Sequence, residues 1–319
     1  MSNTAAQPVH RASGRSMRYN GAGVAAQTAA SLNRAKDTSM HLRPRSFLAP
    51  NASPMTMDGT ITYVVGRGIV AIIDPGSADP SHLDTLAGVA GEARRAVIIV
   101  THDHPDHSTG ALELAERTGA ALLGGHAGRE SGRGTAGVRK PGPGSDTGSV
   151  RKSTGGAARA AGGGLLADGA SVETDEGKLV IVRTPGHAPD HISLHWPAAS
   201  AIFCGDLMMG GSDTAVVAAP EGELGAYLDS LERLRSLDAS VIYPAHGPPF
   251  TDPDEAIDRY VEHRQDRLRQ VQAALDAGAR DVGKITDQLY GESLESGLRP
   301  FAEAAVEAYL AYLRATGRA

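Results

Sequence analysis

An α/β layered fold is predicted for this chain by three observations. Short β-branched runs recur from Arg43 onward, and Ala/Leu-rich stretches with helical periodicity lie between several of them. No apolar run approaches the roughly 20 residues that a membrane-spanning helix needs. Strands that alternate with helices typically form sheets covered by helices. With 319 residues, the chain is long enough for one large domain or for a domain with an appendage.

The predicted strands are rich in Val, Ile and aromatic residues, and each is closed by polar, Gly or Pro residues. In chain order they are ITYVV, GIVAIID, RAVIIV, KLVIVRT, HISLHW, AIFCGD and SVIYPAH. The stretch ITYVVGRGIVAII has the pattern of an antiparallel pair. A mixed sheet is therefore predicted rather than a purely parallel one.

Residues 1–39 differ from the rest of the chain, because they are rich in Ala, Ser and Arg and contain only one acid, Asp37. They lack the apolar core of a secretory signal. We predict a disordered N-terminal tail. A transit peptide, or a true start at Met40, is the alternative interpretation.

Residues 40–253 are predicted to form the catalytic domain. Gly, Ser, Pro and Arg dominate residues 124–164, which are predicted to be a flexible Gly-rich insertion, since such a segment buries too little apolar surface to fold. From residue 254 the residue pattern becomes that of a helix, because Ile257 and Leu268 belong to an apolar stripe at helical spacing. Residues 254–319 are predicted to form a small C-terminal helical domain.

The stretch THDHPDH, directly after RAVIIV, places His102, His104, Asp106 and His107 in one turn. The alternate residues His102 and His104 can point to one side, and Asp106 with His107 can present a second set of donors. Imidazole nitrogen and carboxylate oxygen suit Zn²⁺. Two adjacent metal sites are therefore predicted.

Further ligands are expected, because four donors in one turn do not complete two coordination spheres. Three candidates follow strand-like runs: His187 in TPGH, Asp206 in CGD and His246 in PAHG. We therefore predict that His102, His104 and His187 bind one metal ion and that Asp106, His107 and His246 bind the other. Asp206 is the predicted bridge between the two ions.

A dinuclear zinc centre of this kind lowers the pKa of a bridging water, so that hydroxide can attack an ester, thioester or phosphodiester bond. Asp106 is the predicted catalytic residue, since it could hold its metal and orient or shuttle a proton. Mn or Fe is also compatible with these ligand types. The alternative is an iron-dependent oxygenase or redox protein on the same ligands, which metal content distinguishes.

Taken in this order, THDHPDH, TPGH, CGD and PAHG resemble the motif set of the metallo-β-lactamase superfamily, over about Arg43 to Pro253. The resemblance implies an αββα sandwich with the dinuclear site at one edge of its two sheets. It also implies that Asp74, in AIIDPG, braces the metal-binding loop. His191, in or beside a strand, is predicted to lie buried behind the ligands.

A closer similarity is to the lactamase-beta-like hydrolases whose animal members act as endoribonucleases. It is carried by LAPNASPMTMDGTITYVVGRG and by PAHGPPFTDPDEAIDRYVEHRQDRLRQV. It implies a winged-helix-like unit at residues 254–319, and it makes RNA an alternative to small thioesters of the hydroxyacylglutathione kind. The net charge of -6 slightly favours the small substrate.

The single cysteine, Cys204, excludes an internal disulfide framework and fits a reducing compartment, so a cytoplasmic protein without a membrane partner is expected. A buried apolar role is predicted for this side chain. Substrate class and oligomeric state are left open by the sequence.

Overall fold

The structure, a computed structural model, describes residues 42–124, 166–291, 294 and 296–318. The predicted tail at residues 1–39 lies outside the described residues, as does the predicted insertion at 124–164 except for Gly124. Among the residues described, no helix is both long and apolar enough to cross a membrane.

The first sheet has five strands in the order β1-β2-β3-β4-β5. Their bounds are β1 Arg45–Leu48, β2 Ile61–Val65, β3 Ile69–Ile73, β4 Arg95–Val100 and β5 Ala121–Gly124. The β2 and β3 strands are antiparallel, whereas β3, β4 and β5 run parallel. The predicted antiparallel pair and the mixed sheet are both confirmed.

The second sheet also has five strands, in the order β10-β9-β8-β7-β6. Their bounds are β6 Ser171–Thr174, β7 Gly177–Arg183, β8 Ile192–Trp196, β9 Ala201–Gly205 and β10 Val241–Pro244. Only the β9 and β10 pair is parallel. Because parallel neighbours end at the same edge, the residues that follow these two strands lie side by side.

The α-helices of the described chain are α1 Pro80–Glu92, α2 Pro105–Ser108, α3 Ala111–Thr118, α4 Leu224–Arg235, α5 Pro253–Asp276, α6 Val282–Tyr290 and α7 Arg299–Ala315. Asp-Pro sequences begin two of them. Asp79 accepts backbone N–H groups of α1 and Asp252 does so for α5, in each case with Pro in the first turn. These are the expected helix starts, since Pro is preorganised there and an Asp side chain satisfies free N–H groups.

The core has three layers of apolar contact. Trp196, Phe203 and Ile99 belong to the layer between the two sheets. Ile98 and Leu83 belong to the layer between the first sheet and its helices. A third layer covers the outer face of the second sheet. The αββα sandwich is therefore confirmed, and strands buried on both faces explain the nearly continuous apolar runs in the sequence.

The C-terminal helices α5, α6 and α7 pack on this third layer, where Val271, Ile285 and Val306 join Ile242 of β10. The predicted helical region is confirmed. The described residues after 253 contain helices and no strand, so the winged-helix likeness stays a prediction. The domain division between residues 253 and 254 also stays a prediction, and the two sides share one hydrophobic core.

Candidate metal centre

The predicted donor residues come together at one edge of the sandwich. The turn with His102 follows β4, His187 follows β7, Asp206 follows β9 and His246 follows β10. Donor atoms of His102, His104 and His187 lie within 4.8 Å of one another, and so do those of Asp106, His107, Asp206 and His246. All seven residues are therefore close together, and their role as ligands stays a prediction.

The first group consists of three imidazoles. The Nε2 atom of His102 lies 2.9 Å from Nδ1 of His104, and the Nε2 atom of His187 lies 3.0 Å from the same nitrogen. Burial lowers the pKa of His102 and of His187, so these two rings stay neutral. Neutral imidazoles offer lone pairs to a cation.

The second group contains two imidazoles and two carboxylates. Asp206 Oδ1 lies 3.3 Å from Nε2 of His107 and 3.2 Å from Nε2 of His246. Asp106 Oδ2 lies 3.3 Å from the same nitrogen of His246. The atoms His107 Nε2, His246 Nε2 and Asp206 Oδ1 are buried without a hydrogen-bond partner among the described residues. Because unpartnered buried polar atoms are costly, their convergence fits a bound cation.

The Asp206 carboxylate faces both groups. While Oδ1 is directed to the second group, Oδ2 lies 3.8 Å from Nε2 of His187 in the first. This position between the groups fits the predicted bridging role.

The outer nitrogen of each of the five imidazoles is anchored to an oxygen. The contacts are His102 Nδ1 to Thr101 Oγ1 at 3.1 Å, His104 Nε2 to Glu221 at 3.0 Å, His107 Nδ1 to Asp74 at 3.0 Å, His187 Nδ1 to the Val216 carbonyl at 2.6 Å and His246 Nδ1 to the Gly59 carbonyl at 3.2 Å. Ring N–H groups that donate outward leave the inner nitrogens free for a metal.

The carboxylates of the second group favour a positive charge among its donor atoms. Burial alone would lower the pKa of His107, but the carboxylates of Asp206, Asp74 and Asp106 outweigh burial and hold it well above its usual range. The same competition raises the pKa of His246 to about 9, through Asp106 and Asp206. Without a metal these rings take up protons, and a divalent cation could replace those protons.

Asp74 contacts the turn after β4 through three hydrogen bonds, and the bracing role that the resemblance implies stays a prediction. Its carboxylate accepts hydrogen bonds from the Thr101 backbone at 2.7 Å, the Thr101 hydroxyl at 2.8 Å and His107 Nδ1 at 3.0 Å. The carboxylate therefore fixes both the start of the turn after β4 and one ring within it.

We expect Asp74→Asn to weaken metal binding by about 10- to 100-fold, which is typical when a partner of a metal ligand is removed. An amide cannot accept all three hydrogen bonds in the same geometry. Titration of the metal-free protein with zinc against a competing chelator measures this change. Asp79→Asn, at the start of α1, is the matched control and should leave zinc affinity unchanged. Equal affinities for both variants would show that Asp74 does not support the ligands.

His191 is fully buried next to the donor cluster, and its role in supporting metal ligands stays a prediction. Its Nε2 accepts the backbone N–H of Asp206 at 3.1 Å, and Nδ1 contacts the Thr184 hydroxyl at 2.9 Å. Burial, assisted by the neighbouring His187, lowers the pKa of His191 from 6.5 to about 3. The ring therefore stays neutral in the folded protein and supports Asp206 through the backbone.

This shift predicts a pH dependence. Between pH 6.5 and about 3 the unfolded chain binds a proton at His191 that the folded chain does not, so the stabilisation present above pH 6.5 is lost as the pH falls. In metal-free protein, His191→Gln should reduce the slope of unfolding free energy against pH by up to about 1.4 kcal/mol per pH unit. Urea unfolding from pH 7 to 4.5 measures the slope. His195→Gln is the comparison variant, because burial also lowers the pKa of this partly exposed ring, and it should reduce the slope less. An unchanged slope for His191→Gln contradicts the assignment.

A cavity of about 590 Å³ opens beside the donor cluster. His104, Asp106, His187 and Asp206 line its floor. Its walls are mainly apolar and contain Met55, Met209, Val216, Ala218, Ala219, Pro220, Pro300, Phe301 and Ala304. No Lys or Arg is among the described residues that line it. The cavity therefore favours an apolar molecule over a polyanion.

Some features of the site have no clear signal in the sequence. Glu221, which holds His104, lies in an ordinary loop sequence, and the carbonyls of Gly59 and Val216 are backbone groups. The role of Thr101 could have been predicted from the sequence, because this residue directly precedes the first His of the turn and follows a buried strand.

Comparison with known proteins agrees with this geometry. A family model described as the metallo-beta-lactamase superfamily matches residues 56–246. A lactamase-like protein of Emericella nidulans is 28% identical over 270 residues, which cover 80% of this chain and 76% of the relative. An atrochrysone carboxyl ACP thioesterase of Aspergillus fumigatus is 27% identical over 253 residues, which cover 77% of this chain and 70% of the relative.

A solved structure supports the fold. The crystal structure of a metallo-beta-lactamase family protein from Thermus thermophilus matches with a TM-score of 0.62 at 22% sequence identity, covering 86% of this chain and 94% of that one. The family match spans more than half of the sequence and includes the turn after β4 and the residues after β7, β9 and β10. The chain belongs to the metallo-β-lactamase superfamily.

Proposed function

We propose that this chain is a hydrolase that holds two zinc ions and cleaves a thioester or ester bond. The observation that carries the proposal is the convergence of seven donor residues in two groups, with three buried donor atoms that lack partners among the described residues. His102, His104 and His187 would hold one ion, and Asp106, His107 and His246 the other. Asp206 would contact both.

A pair of zinc ions, when bound, supplies an activated water nucleophile and stabilises negative charge that develops on the substrate. The protein's own residues do the rest. Asp106 is the donor of the second group with the greatest side-chain exposure, 26%, and it lines the cavity. Burial would raise its pKa, but His107 and His246 outweigh burial and hold the pKa below its usual range. Asp106 therefore remains a carboxylate that can hold a metal ion and orient a water.

The cavity supports an apolar acyl group as the bound part of the substrate. Its walls are hydrophobic, and the acidic Glu221 lies at its edge. A cleft that bound RNA would need cations to contact phosphates, and the described lining contains none. The thioesterase among the relatives points in the same direction. RNA cleavage is the second candidate, and it is supported only by the similarity to the endoribonuclease-like group.

A substrate panel tests the proposal. The zinc-loaded chain should hydrolyse acyl thioesters with a higher kcat/KM than a lactone, bis-p-nitrophenyl phosphate, a cephalosporin or single-stranded RNA. Turnover of RNA alone, or of the cephalosporin alone, would contradict the thioester proposal.

The apolar wall gives a sharper test. Phe301 is 46% exposed and lines the cavity, whereas Leu112 is 47% exposed and lies on α3, away from the lining. Removal of the Phe301 ring costs about 1.5 to 3 kcal/mol of apolar contact if a long acyl chain covers it. We expect Phe301→Ala to raise KM about tenfold or more for a hexanoyl thioester and little for an acetyl thioester. Leu112→Ala should change neither value, and equal effects of Phe301→Ala on both substrates would contradict the proposed acyl position.

A further inference from the structure

A second cavity, of about 390 Å³, adjoins the first. Met55, Met209, Val216 and Phe301 line both, so the two cavities are neighbours. The second cavity lies against α5 and contains the cationic side chains that the first lacks, Arg264 and Arg267, together with His263.

Arg264 is an unusual buried cation. Its residue surface is only 3% exposed, and its guanidinium donates hydrogen bonds to the Tyr309 hydroxyl and to the Ala215 carbonyl, neither of which is a carboxylate. Its Nε atom is buried without a hydrogen-bond partner among the described residues. Within the described part of the chain, no carboxylate forms an ion pair with it.

The Tyr227 ring beside Arg264 supplies no negative charge. The guanidinium carbon lies 5.0 Å from the centre of the Tyr227 ring. Burial raises the pKa of Tyr227 to about 12, so this phenol is neutral near pH 7. Burial alone would lower the pKa of Arg264, but its contacts with Tyr227 and Tyr309 outweigh burial and keep the guanidinium charged. No carboxylate among the described residues balances this buried charge, and an anion in the cavity would do so.

Two further side chains on the same face of α5 reach this cavity. Arg267 lies 4.6 Å above the Tyr290 ring and donates to the neutral Gln270 side chain at 2.8 Å. The Nδ1 atom of His263 is buried and has no hydrogen-bond partner in the described residues. Burial and the adjacent arginines lower the pKa of His263 to about 4, so its ring is neutral and can donate one N–H.

Within the described residues, the other arginines of α5 form ion pairs, unlike Arg264 and Arg267. Arg259 pairs with Asp213 and Glu255, and Arg269 pairs with Asp266. Ion pairing is thus the rule where α5 faces solvent, and it is lacking among the described contacts of the two arginines that line the cavity. This contrast indicates a site for a ligand rather than a general shortage of acids.

We propose that the second cavity binds an anionic group, a carboxylate or a phosphate monoester, carried by the same molecule whose thioester or ester bond lies at the donor cluster. The proposal rests on the proposed hydrolase function for the location of the scissile bond. The shared apolar residues then contact the chain between the two ends, and Arg264, Arg267 and His263 donate hydrogen bonds to the anion. Charge-assisted bonds of this kind are among the strongest that a site can offer.

The anion could come from either side of the scissile bond. It could be a terminal carboxylate on the acyl part, or a phosphate on the thiol part, as in a phosphopantetheine arm. Three families of thioester separate these sources. They are acyl N-acetylcysteamines without charge, N-acetylcysteamine mono-thioesters of dicarboxylic acids of increasing length, and uncharged acyl groups on 4′-phosphopantetheine.

We expect one charged family to exceed the uncharged one in kcat/KM by about 10- to 100-fold, which corresponds to one or two charge-assisted hydrogen bonds. Arg267→Gln, which removes a partly exposed cation, should abolish the preference, and Arg264→Gln should do the same where it folds. Arg269→Gln, with the same charge change on the same helix, should retain it. Equal kcat/KM values for all three families, or a preference that Arg267→Gln leaves intact, would overturn the proposal.

A binding measurement distinguishes failure of this proposal from failure of the hydrolase proposal. Calorimetric titration of the zinc-loaded chain of 319 residues with adipate and with 4′-phosphopantetheine should give binding that Arg267→Gln weakens about tenfold or more and Arg269→Gln does not. Such binding without turnover of any thioester would support the anion site and contradict the hydrolase. Binding of neither probe, or equal binding by both variants, would contradict the anion site even if thioesters are hydrolysed.

Discussion

Replacing Asp106 with Ala should lower kcat/KM of the zinc-loaded chain by about 10²- to 10⁴-fold, the range expected when a group that positions or transfers a proton is lost. The residue stands in α2, in the turn after β4, and its carboxylate lies 3.5 Å from His107 Nε2 and 3.3 Å from His246 Nε2. Because the side chain borders the cavity, its removal should not disturb the core.

Steady-state kinetics on a thioester, with circular dichroism to confirm the fold, measure the effect. Asp103→Ala is the matched control, since Asp103 lies in the same turn but outside the donor groups and the cavity lining. We expect the control to lose no more than severalfold in kcat/KM. Full activity of Asp106→Ala would show that the catalytic assignment is wrong.

Gly186→Ala should destabilise the folded chain by about 3 kcal/mol or more, because it combines a strained backbone with overpacking. Gly186 has a φ of +130°, and a Cβ atom built there would lie 2.3 Å from the backbone N and Cα of Tyr227 in α4. The clash involves main-chain atoms, which a rotamer change cannot relieve. Since His187 is the next residue, zinc binding should weaken as well.

Urea unfolding with a zinc titration tests this second expectation. Gly119→Ala is the matched control, because Gly119 has a φ of +69° but nothing within 4 Å of the added atom. Gly119→Ala therefore measures only the free-energy cost of a left-handed backbone at a residue with a Cβ atom, about 1 to 2 kcal/mol. Equal losses for the two variants would mean that the contact between Gly186 and α4 is unimportant.

The central strands were predictable from the sequence, whereas three edge strands were not. β2, β3, β4, β7, β8 and β9 are central strands, and each matched a predicted run, because burial on both faces produces a β-branched sequence. β10 is an edge strand of four residues, and it also matched a predicted run, SVIYPAH. β1, β5 and β6 stand at sheet edges and have only four residues each. Edge strands are half exposed and short, so they carry little hydrophobic pattern.

The donor residues were predictable because their side chains carry the chemistry and each follows a recognisable strand. The groups that orient them were not, since the carbonyls of Gly59 and Val216 depend on tertiary contact rather than residue type. Arg264 had a signal that could have been used. It occupies the apolar stripe of α5 between Ile257 and Leu268, a position where a charged side chain calls for an explanation.

Metal content tests the central claim most directly. The purified chain of 319 residues, loaded with zinc and freed of excess by gel filtration, should contain two zinc ions by mass spectrometry, since two donor groups lie at the edge of the sandwich. His187→Ala, in the first group, and His246→Ala, in the second, should each lower the zinc content towards one ion. A chain that instead retained one iron and no zinc, or whose zinc content was unchanged in both variants, would contradict the dinuclear centre on which the proposed function depends.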